Sequence, residues 1–295
     1  MTTTTTTATD WDVAPNLMDG ALSLSLTAED CNLTYWIEHV AQGTWAGLVN
    51  GHRPGAEIPH HIRQDGPLRQ ALIEEFGFRS VGEEIAARVL GMMAAHAPDI
   101  AGMEFYITQS LDEARHGRAF RSHILELGLS EAECDDIVQS SVGDYIERIL
   151  RPLERWAFKL VRDERDYIAG VVIITILAEG VLSPAAEISE RKWRPIDQAA
   201  ADIERTANID EIRHLVVGES IIRKHLEATP SERSRLIDLV VEGRQLWAGL
   251  PTHELILQRE LLFQEGLMQI QDVVGDYEMF PGVRLIDTKP EDRLR

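Results

Sequence analysis

The residues best suited to chemistry form a carboxylate and imidazole motif that occurs twice. Residues 112–116 read Asp-Glu-Ala-Arg-His, and residues 210–214 read Asp-Glu-Ile-Arg-His. On an α-helix, side chains three positions apart lie on one face, so each copy directs a glutamate and a histidine toward one point. Carboxylate oxygen and imidazole nitrogen both bind metal ions. The repeat therefore predicts that a metal site is built from two similar halves, one from each copy of the motif.

The bare Glu-x-x-His spacing is weak evidence, because it also arises by chance. Residues 57–60 read Glu-Ile-Pro-His inside a loop rich in Gly and Pro, where positions i and i+3 need not share a face. The two longer motifs differ, since each lies in a long helical pattern and also repeats the Asp and the Arg. We therefore favour a metal site over two solvated, charged helix faces.

The charged residues that flank the ligands have a predicted role. Asp112 and Asp210 each precede a motif histidine by four residues, on roughly the same helix face. Metal-bound histidine usually donates its second ring N–H to a carboxylate, so these aspartates are candidates for that contact. Arg115 and Arg213 could neutralise the aspartates, although ordinary ion pairs along the helix are an equally good interpretation.

A third carboxylate is expected from the helix that precedes the first motif, where two glutamates are adjacent. Glu84 has Arg88 four residues later, which suits an exposed ion pair. Glu83 has Phe76 and Leu90 at seven-residue spacing, which suits a helix face that points inward. We predict that Glu83 rather than Glu84 is the ligand.

The fourth carboxylate is Glu179, which lies inside the most apolar stretch of the chain, residues 168–182. An unpaired buried carboxylate is costly, and metal coordination would remove that cost. The alternative is a carboxylate turned to solvent at a helix bend. The stretch is shorter than the ~20 residues needed to cross a bilayer, so it predicts a buried helix and no membrane span.

Four carboxylates and two imidazoles make a hard, oxygen-rich ligand set. Their charge roughly balances two divalent cations. Iron is the predicted metal, as two ions, with manganese second.

The elements that position these residues are predicted to be helices. Hydrophobic periodicity and capping residues predict helices over residues 28–49, 67–96, 99–127, 130–142, 143–160, 162–190, 197–227, 231–250 and 252–270, with a kink or break at Pro152 and a break near Pro184. No strand signal is present, so we predict an all-α class. Residues 1–20 are a predicted disordered leader, 21–272 one helical domain and 273–295 an irregular tail that lies over the surface. The leader has no signal-peptide pattern.

Composition limits the partners and the compartment. Twenty-nine basic against 49 acidic residues give a formal charge of -20, which repels phosphate backbones and anionic lipid. We therefore exclude nucleic acid and membrane surfaces. Two cysteines, Cys31 and Cys134, form neither a disulfide framework nor a thiolate metal site, which fits a reducing cytoplasm.

Residues 33–226 resemble the ferritin-like di-iron carboxylate superfamily, and within it the multicomponent monooxygenase branch, where a glutamate-bearing helix followed by an Asp-Glu-x-Arg-His helix also recurs. The separations of 30 residues in the first half and 32 in the second are similar to that branch. The resemblance implies a ferritin-like four-helix bundle with additional flanking helices. It assigns three ligands to each iron: Glu83, Glu113 and His116 to one, and Glu179, Glu211 and His214 to the other.

Single positions refine the resemblance. Phe120 stands where ribonucleotide reductase subunits commonly carry a radical tyrosine, which argues against a radical role. Ala207 stands near the position where arylamine N-oxygenases add a third histidine, so that ligand is absent. Ser183 matches a hydroxyl residue that could manage protons in the oxygenases, although a helix-packing serine is an equally good interpretation.

The resemblance implies an O₂-dependent oxygenase acting on a small organic molecule. Weak similarity to azoxy-forming di-iron enzymes of the valanimycin-pathway type favours N-oxidation of an amine or hydrazine in bacterial natural-product biosynthesis. The alternatives are C–H hydroxylation or epoxidation, and a ferroxidase or catalase-like protein. No nucleotide-binding motif is present, so an external reductase or ferredoxin is expected. We also expect a homodimer. The residues one helical turn from the ligands are predicted to form the wall of a substrate cavity, or else to be ordinary core residues. They are Ala87, Gln109, Thr175, Ile176 and Ala207.

Overall fold

Helices make up most of the part of the chain that the computed structural model describes, residues 16–17, 24–40, 51–53 and 55–293. The strands described there are two short antiparallel ones, β1 (Glu278–Phe280) and β2 (Val283–Arg284), with Glu278 opposite Arg284. The all-α prediction is confirmed. The small hairpin was not expected from the sequence, because its strands are too short to show a periodicity.

The helices follow one another with short connections. They are α1 (Leu33–Tyr35), α2 (His60–Arg63), α3 (Pro67–His96), α4 (Ile100–Leu125), α5 (Glu131–Tyr145), α6 (Arg151–Phe158), α7 (Tyr167–Val172), α8 (Gly180–Trp193), α9 (Gln198–Ala228), α10 (Arg233–Ala248), α11 (Thr252–Gln269) and α12 (Gln271–Val274). Four π-helical segments continue some of them: π1 (Trp36–Val40), π2 (Ile146–Leu150), π3 (Lys159–Asp163) and π4 (Ile173–Glu179).

Local sequence signals set most helix ends. Pro67 occupies the first turn of α3, and the Asp99 side chain accepts from the backbone N–H of Gly102 at 2.8 Å to begin α4. Ser130 forms a capping box with Glu133 at the start of α5. The long helix predicted over residues 67–96 is confirmed at both ends.

The first predicted helix, residues 28–49, is only partly within the described residues. There the chain forms turns up to residue 32, then α1 and π1. Residues 41–49 lie outside the described part. The predicted leader, residues 1–20, lies outside it too, apart from residues 16 and 17.

The described residues form two large apolar clusters and a small third one around Trp36 and Val40. The first includes Phe76, Phe120 and Trp193, and the second includes Phe105 and Val172. Helices α3, α4 and α9 and the continuous α7–π4–α8 helix each contribute to both clusters. In each of these four helices the predicted metal ligands lie between the two contributions along the chain. The acidic residues therefore form a polar layer between two apolar ones.

The C-terminal tail packs into the protein. Met279 and Leu285 belong to the first apolar cluster, and Arg293 is buried beside Glu260, with its Nη1 2.8 Å from Glu260 Oε2. The expectation that residues from 273 onward lie irregularly over the surface is therefore wrong in part. Met279, Leu285 and Arg293 are buried, but their wide spacing forms no periodic pattern in the sequence.

The α7–π4–α8 helix, Tyr167–Trp193, is long and apolar enough to span a membrane by length and composition alone. In its most apolar window, 61% of the surface is buried inside the protein, which fits the core helix of a soluble protein. Cys31 and Cys134 are both free and buried.

Candidate metal centre

The structure brings all six predicted ligands together in two groups that share members. One group is Glu83, Glu113, His116 and Glu211, and the other is Glu113, Glu179, Glu211 and His214. Within each group, one ligand atom per residue lies within 4.8 Å of the others. Glu113 and Glu211 belong to both groups. They are therefore placed to bridge two neighbouring cations, each of which would have its own glutamate and histidine.

The choice between the adjacent glutamates of α3 is made by their direction. Glu83 faces Glu113 across the α3 and α4 interface, whereas Glu84 and Arg88 are exposed. Arg79, one turn earlier, lies with its Nη2 3.6 Å from Glu83 Oε1. Glu83 is thus the α3 carboxylate that a metal ion could reach.

Glu179 owes its position to a π-helical segment. It is the last residue of π4, whose hydrogen bonds span five residues rather than four and so widen the turn. The break expected near Pro184 is absent, because Pro184 lies inside α8 and the irregularity precedes it. Single π turns occur frequently at functional sites, and this one aims a carboxylate into the cluster.

Two buried carboxylate oxygens have no hydrogen-bond partner among the described residues, Glu179 Oε2 and Glu211 Oε2. Polar atoms buried without partners are rare in native proteins, since each costs about 1–3 kcal/mol. Glu113 Oε1 and His214 Nδ1 lie 3.1 Å from each other and have no further hydrogen-bond partner there. All four atoms belong to the two groups, and all are atoms that bind metal. This residue set therefore fits a pair of metal ions.

The carboxylates repel one another when no cation lies between them. Burial, together with the charge of Glu113, raises the pKa of Glu83 to about 8. Burial and the charges of Glu113 and Glu179 raise the pKa of Glu211 well above its usual range. Although burial opposes it, hydrogen bonds from His116 and His214 lower the pKa of Glu113. Two divalent cations would replace these protons and relieve the repulsion.

The two histidines present the same nitrogen to the cluster. His116 Nδ1 lies 3.0 Å from Glu113 Oε2, and His214 Nδ1 lies 3.1 Å from Glu113 Oε1. Their Nε2 atoms point away, to an aspartate in each case. His116 Nε2 lies 3.1 Å from Asp210 Oδ2, and His214 Nε2 lies 3.4 Å from Asp112 Oδ2. Each aspartate therefore contacts the histidine of the other motif.

The arginines of the motifs neutralise these aspartates. Arg213 Nη1 lies 2.9 Å from Asp210 Oδ1, and Arg213 also pairs with Asp112. Arg115 pairs with Asp112, and its Nη2 lies 3.7 Å from Asp210 Oδ2. Ion pairs within one helix and ion pairs between the two helices are both present. The arginines therefore neutralise the aspartates and also form ordinary ion pairs along the helix, so both interpretations of the sequence describe the structure.

Trp36 is a contact of the site that the sequence did not predict. Its indole Nε1 donates to Asp112 Oδ1 at 2.8 Å in a buried position, and the other oxygen of Asp112 faces His214. The signal available in the sequence was its place in the apolar pattern of the first predicted helix. That pattern indicated burial and said nothing of a polar partner.

The predicted catalytic and cavity residues have different surroundings. Ser183 is buried, and its Oγ has no hydrogen-bond partner within the described part of the chain. Gln109 is buried and donates from Nε2 to Glu179 Oε1. Of the remaining cavity candidates, Thr175 and Ala207 are buried and Ala87 is half-buried.

Ile176 is a correction to the predicted cavity wall. Its side chain is 41% exposed although Glu179, three residues later, is buried. In an α-helix these two positions would share a face, but in the wider π turn of π4 residues four and five apart align instead. Thr175 therefore lies on the inner side and Ile176 is turned outward.

In comparisons with known proteins, no family model and no curated protein matches the chain.

Proposed function

We propose that the chain is an O₂-dependent, non-heme di-iron oxygenase in which α3, α4, the α7–π4–α8 helix and α9 form a ferritin-like four-helix bundle. The observation that carries the proposal is the pair of overlapping ligand groups, in which two carboxylates are shared and two buried carboxylate oxygens lack partners among the described residues. A di-iron bundle uses a glutamate from each of two helices and a Glu-x-x-His pair from each of two others, which is this set.

Two ferrous ions held there would supply electrons together for the activation of O₂. Glu113 and Glu211 would bridge them. Asp112 and Asp210 would each hold a histidine in the tautomer that leaves Nδ1 free to bind metal. Gln109 would fix the orientation of Glu179 through its hydrogen bond.

The apolar clusters on either side of the polar layer would exclude water, as such chemistry requires. Ser183, one turn after Glu179, offers a buried hydroxyl without a partner among the described residues, so it could hold or pass a proton next to the site. Substrate class rests on the family resemblance, which favours oxidation of an amine or hydrazine nitrogen over a C–H bond. The electrons would come from a separate reductase or ferredoxin.

The experiment is anaerobic loading of the apoprotein with Fe(II), followed by O₂, with Mössbauer and optical spectra. Wild type is expected to bind an iron pair that becomes magnetically coupled on oxidation. Glu83→Gln should lose the coupled pair, and Glu84→Gln, at the exposed neighbouring position, should keep it. Absence of a coupled iron pair in wild type, or no reaction with O₂, would overturn the proposal.

Isotopically labelled O₂ then separates the substrate classes. Amines, hydrazines and hydrocarbons would be supplied with a chemical reductant, and products analysed by mass spectrometry. Label on nitrogen supports N-oxidation, and label on carbon supports a hydroxylase. Oxidised iron with no labelled product from any substrate supports a ferroxidase.

A further inference from the structure

A second group of metal-binding side chains lies beyond the predicted dinuclear centre along α4. It consists of His52, His123 and Glu126, and one ligand atom from each lies within 4.8 Å of the others. His52 Nε2 lies 2.9 Å from Glu126 Oε1, and His123 Nδ1 lies 2.9 Å from Glu126 Oε2. One imidazole nitrogen of each histidine and the carboxylate thus converge on one point. None of the three belongs to the ligand set proposed above.

The other nitrogen of each histidine already has an acceptor. His52 Nδ1 lies 3.1 Å from the carbonyl oxygen of Arg53, and His123 Nε2 lies 3.0 Å from Asp197 Oδ2. Asp197 is itself held in place, because its Oδ1 accepts from the backbone N–H groups of Ala199 and Ala200 at the start of α9. Backbone carbonyls and carboxylates in these positions are the usual outer partners of metal-bound histidine.

We propose that His52 Nε2, His123 Nδ1 and the Glu126 carboxylate bind a single divalent first-row transition-metal ion of the zinc or ferrous iron class. Two imidazoles and one carboxylate form the protein ligand set of open zinc and non-heme iron sites, in which solvent or a small ligand fills the remaining positions. His123 is fully buried and His52 nearly so, whereas the Glu126 side chain is 29% exposed. The open positions therefore face solvent on the Glu126 side.

The carboxylates around the two histidines favour positive charge at this point. The hydrogen bond with Glu126 raises the pKa of His52. Although burial opposes it, hydrogen bonds with Asp197 and Glu126 raise the pKa of His123 to about 9. A bound cation would meet the same favourable charge. The alternative role is a purely structural ion-pair cluster, which the experiment must exclude.

The site is separate from the dinuclear centre and can be tested by itself. His123 follows His116 by seven residues on α4, a distance of about 10 Å along the helix axis. Aromatic rings occupy the space next to it: Phe76 stacks against Phe120 at 4.9 Å between centroids and against His123 at 5.6 Å. Loss of one site therefore need not remove the other.

The test is zinc binding by the full chain with the dinuclear ligands removed, Glu113→Ala with Glu211→Ala. Metal content after dialysis and calorimetric affinity for Zn²⁺ are measured, with circular dichroism to verify folding. This variant is expected to bind one Zn²⁺. Adding Glu126→Gln or His52→Gln should weaken the affinity at least about tenfold, because each removes a ligand. His61→Gln is the matched control: its ring contacts the Ile196 carbonyl, next to Asp197, without joining the cluster.

The proposal is overturned in favour of an ion-pair cluster if the folded double variant binds no zinc. It is also overturned if adding Glu126→Gln or His52→Gln leaves the zinc affinity of the double variant unchanged. If the double variant does not fold, wild type is loaded with iron first and then with Zn²⁺. Anomalous diffraction at the zinc edge must then show a peak between His52 and His123 that Glu126→Gln abolishes. Absence of that peak in wild type contradicts the site. Neither result bears on the separate proposal of a dinuclear centre.

Discussion

The two aspartates of the repeated motif link the two halves of the site at the level of single side chains. Each lies four residues before a histidine on its own helix, yet contacts the histidine of the opposite helix. The reason is that α4 and α9 pack with their motifs side by side. Each aspartate therefore contacts Nε2 of the histidine on the partner helix rather than that of the histidine on its own helix. Positioning of either histidine therefore depends on both helices.

Replacement of Asp210 by asparagine tests this crossed arrangement. The amide keeps the size but does not stabilise the His116 tautomer that leaves Nδ1 for metal, so we expect metal affinity to fall about 10–100-fold. A chelator competition with Fe(II) under anaerobic conditions measures the change. Asp238→Asn, on an exposed position of α10, is the control and should bind as wild type does. Equal affinity of the Asp210→Asn variant would contradict the role assigned to Asp210.

The candidate ligands were predictable from the sequence because a glutamate and a histidine three residues apart on a helix must share a face, whatever the fold around them. Glu179 was predictable because a carboxylate in an apolar run needs a partner. Trp36 was not, since its hydrogen bond to Asp112 joins residues 76 positions apart in the chain. Contacts of that kind depend on packing, which no local pattern encodes.

Among the elements, π4 determines how the fourth carboxylate, Glu179, reaches the centre. It packs against α9 where Gly218 lies directly on the Thr175 side chain, so closely that an added Cβ would overlap Thr175 Oγ1 and Cγ2. Gly218 is therefore required for the close approach of the two elements. Thr175 is itself four residues before Glu179, so displacing it disturbs the π turn that aims the ligand.

Substitution of Gly218 by alanine is expected to destabilise the protein by about 1–3 kcal/mol, because Thr175 must move within a packed interface. Gly91→Ala is the matched control: Gly91 is exposed within α3, and an added Cβ would meet only Ser110 Oγ, at 3.8 Å. There alanine should stabilise by up to about 1 kcal/mol through helix propensity. Urea unfolding measures both. A Gly218→Ala variant as stable as wild type would show that the interface is loose.

The long helices were predictable at the element scale because periodicity and caps agree, as in α3 and α4. The π segments were not. An α-helix and a π-helix have the same hydrophobic composition, and the extra residue is accommodated by packing against α9. The wrong assignment of Ile176 to the cavity wall follows directly from this, since the prediction assumed an α-helical turn.

At the scale of the molecule, many charged side chains are buried, which the acidic composition alone does not indicate. A second buried network joins the C-terminal segment to the long helices: Lys192 Nζ lies 2.7 Å from Glu75 Oε2 and 2.8 Å from Glu260 Oε1, and Glu260 also pairs with Arg293. These groups come from α3, α8, α11 and the tail. The network thus holds the tail against the helices. The sequence predicted a tail on the surface because Glu260, which Arg293 contacts, is far from it in the chain.

This network predicts a pH dependence of stability. Although burial opposes it, Arg259 and Lys192 lower the pKa of Glu75 from 4.5 to about 2. A carboxyl with a lowered folded-state pKa stabilises the fold above its unfolded pKa, and the effect is lost as pH falls toward the folded value. The full contribution is about 3 kcal/mol, of which roughly 2 kcal/mol should be lost between about pH 7 and pH 3.

Urea unfolding of wild type and Glu75→Gln across this pH range measures that contribution. The difference in free energy of unfolding between them should shrink by the stated amount as pH falls. Glu84→Gln, at an exposed position of the same helix, should show a difference close to zero throughout. A Glu75→Gln difference that is constant with pH would mean that Glu75 is not ionised in the folded protein.

The central claim is that two ions lie between the six ligands, bridged by Glu113 and Glu211. Anomalous diffraction at the iron edge, from crystals of the iron-loaded protein, tests it most directly. We predict two peaks about 3.5–4 Å apart, one near His116 and one near His214, with both bridging carboxylates between them. A single peak, or none within reach of these side chains, would contradict the account.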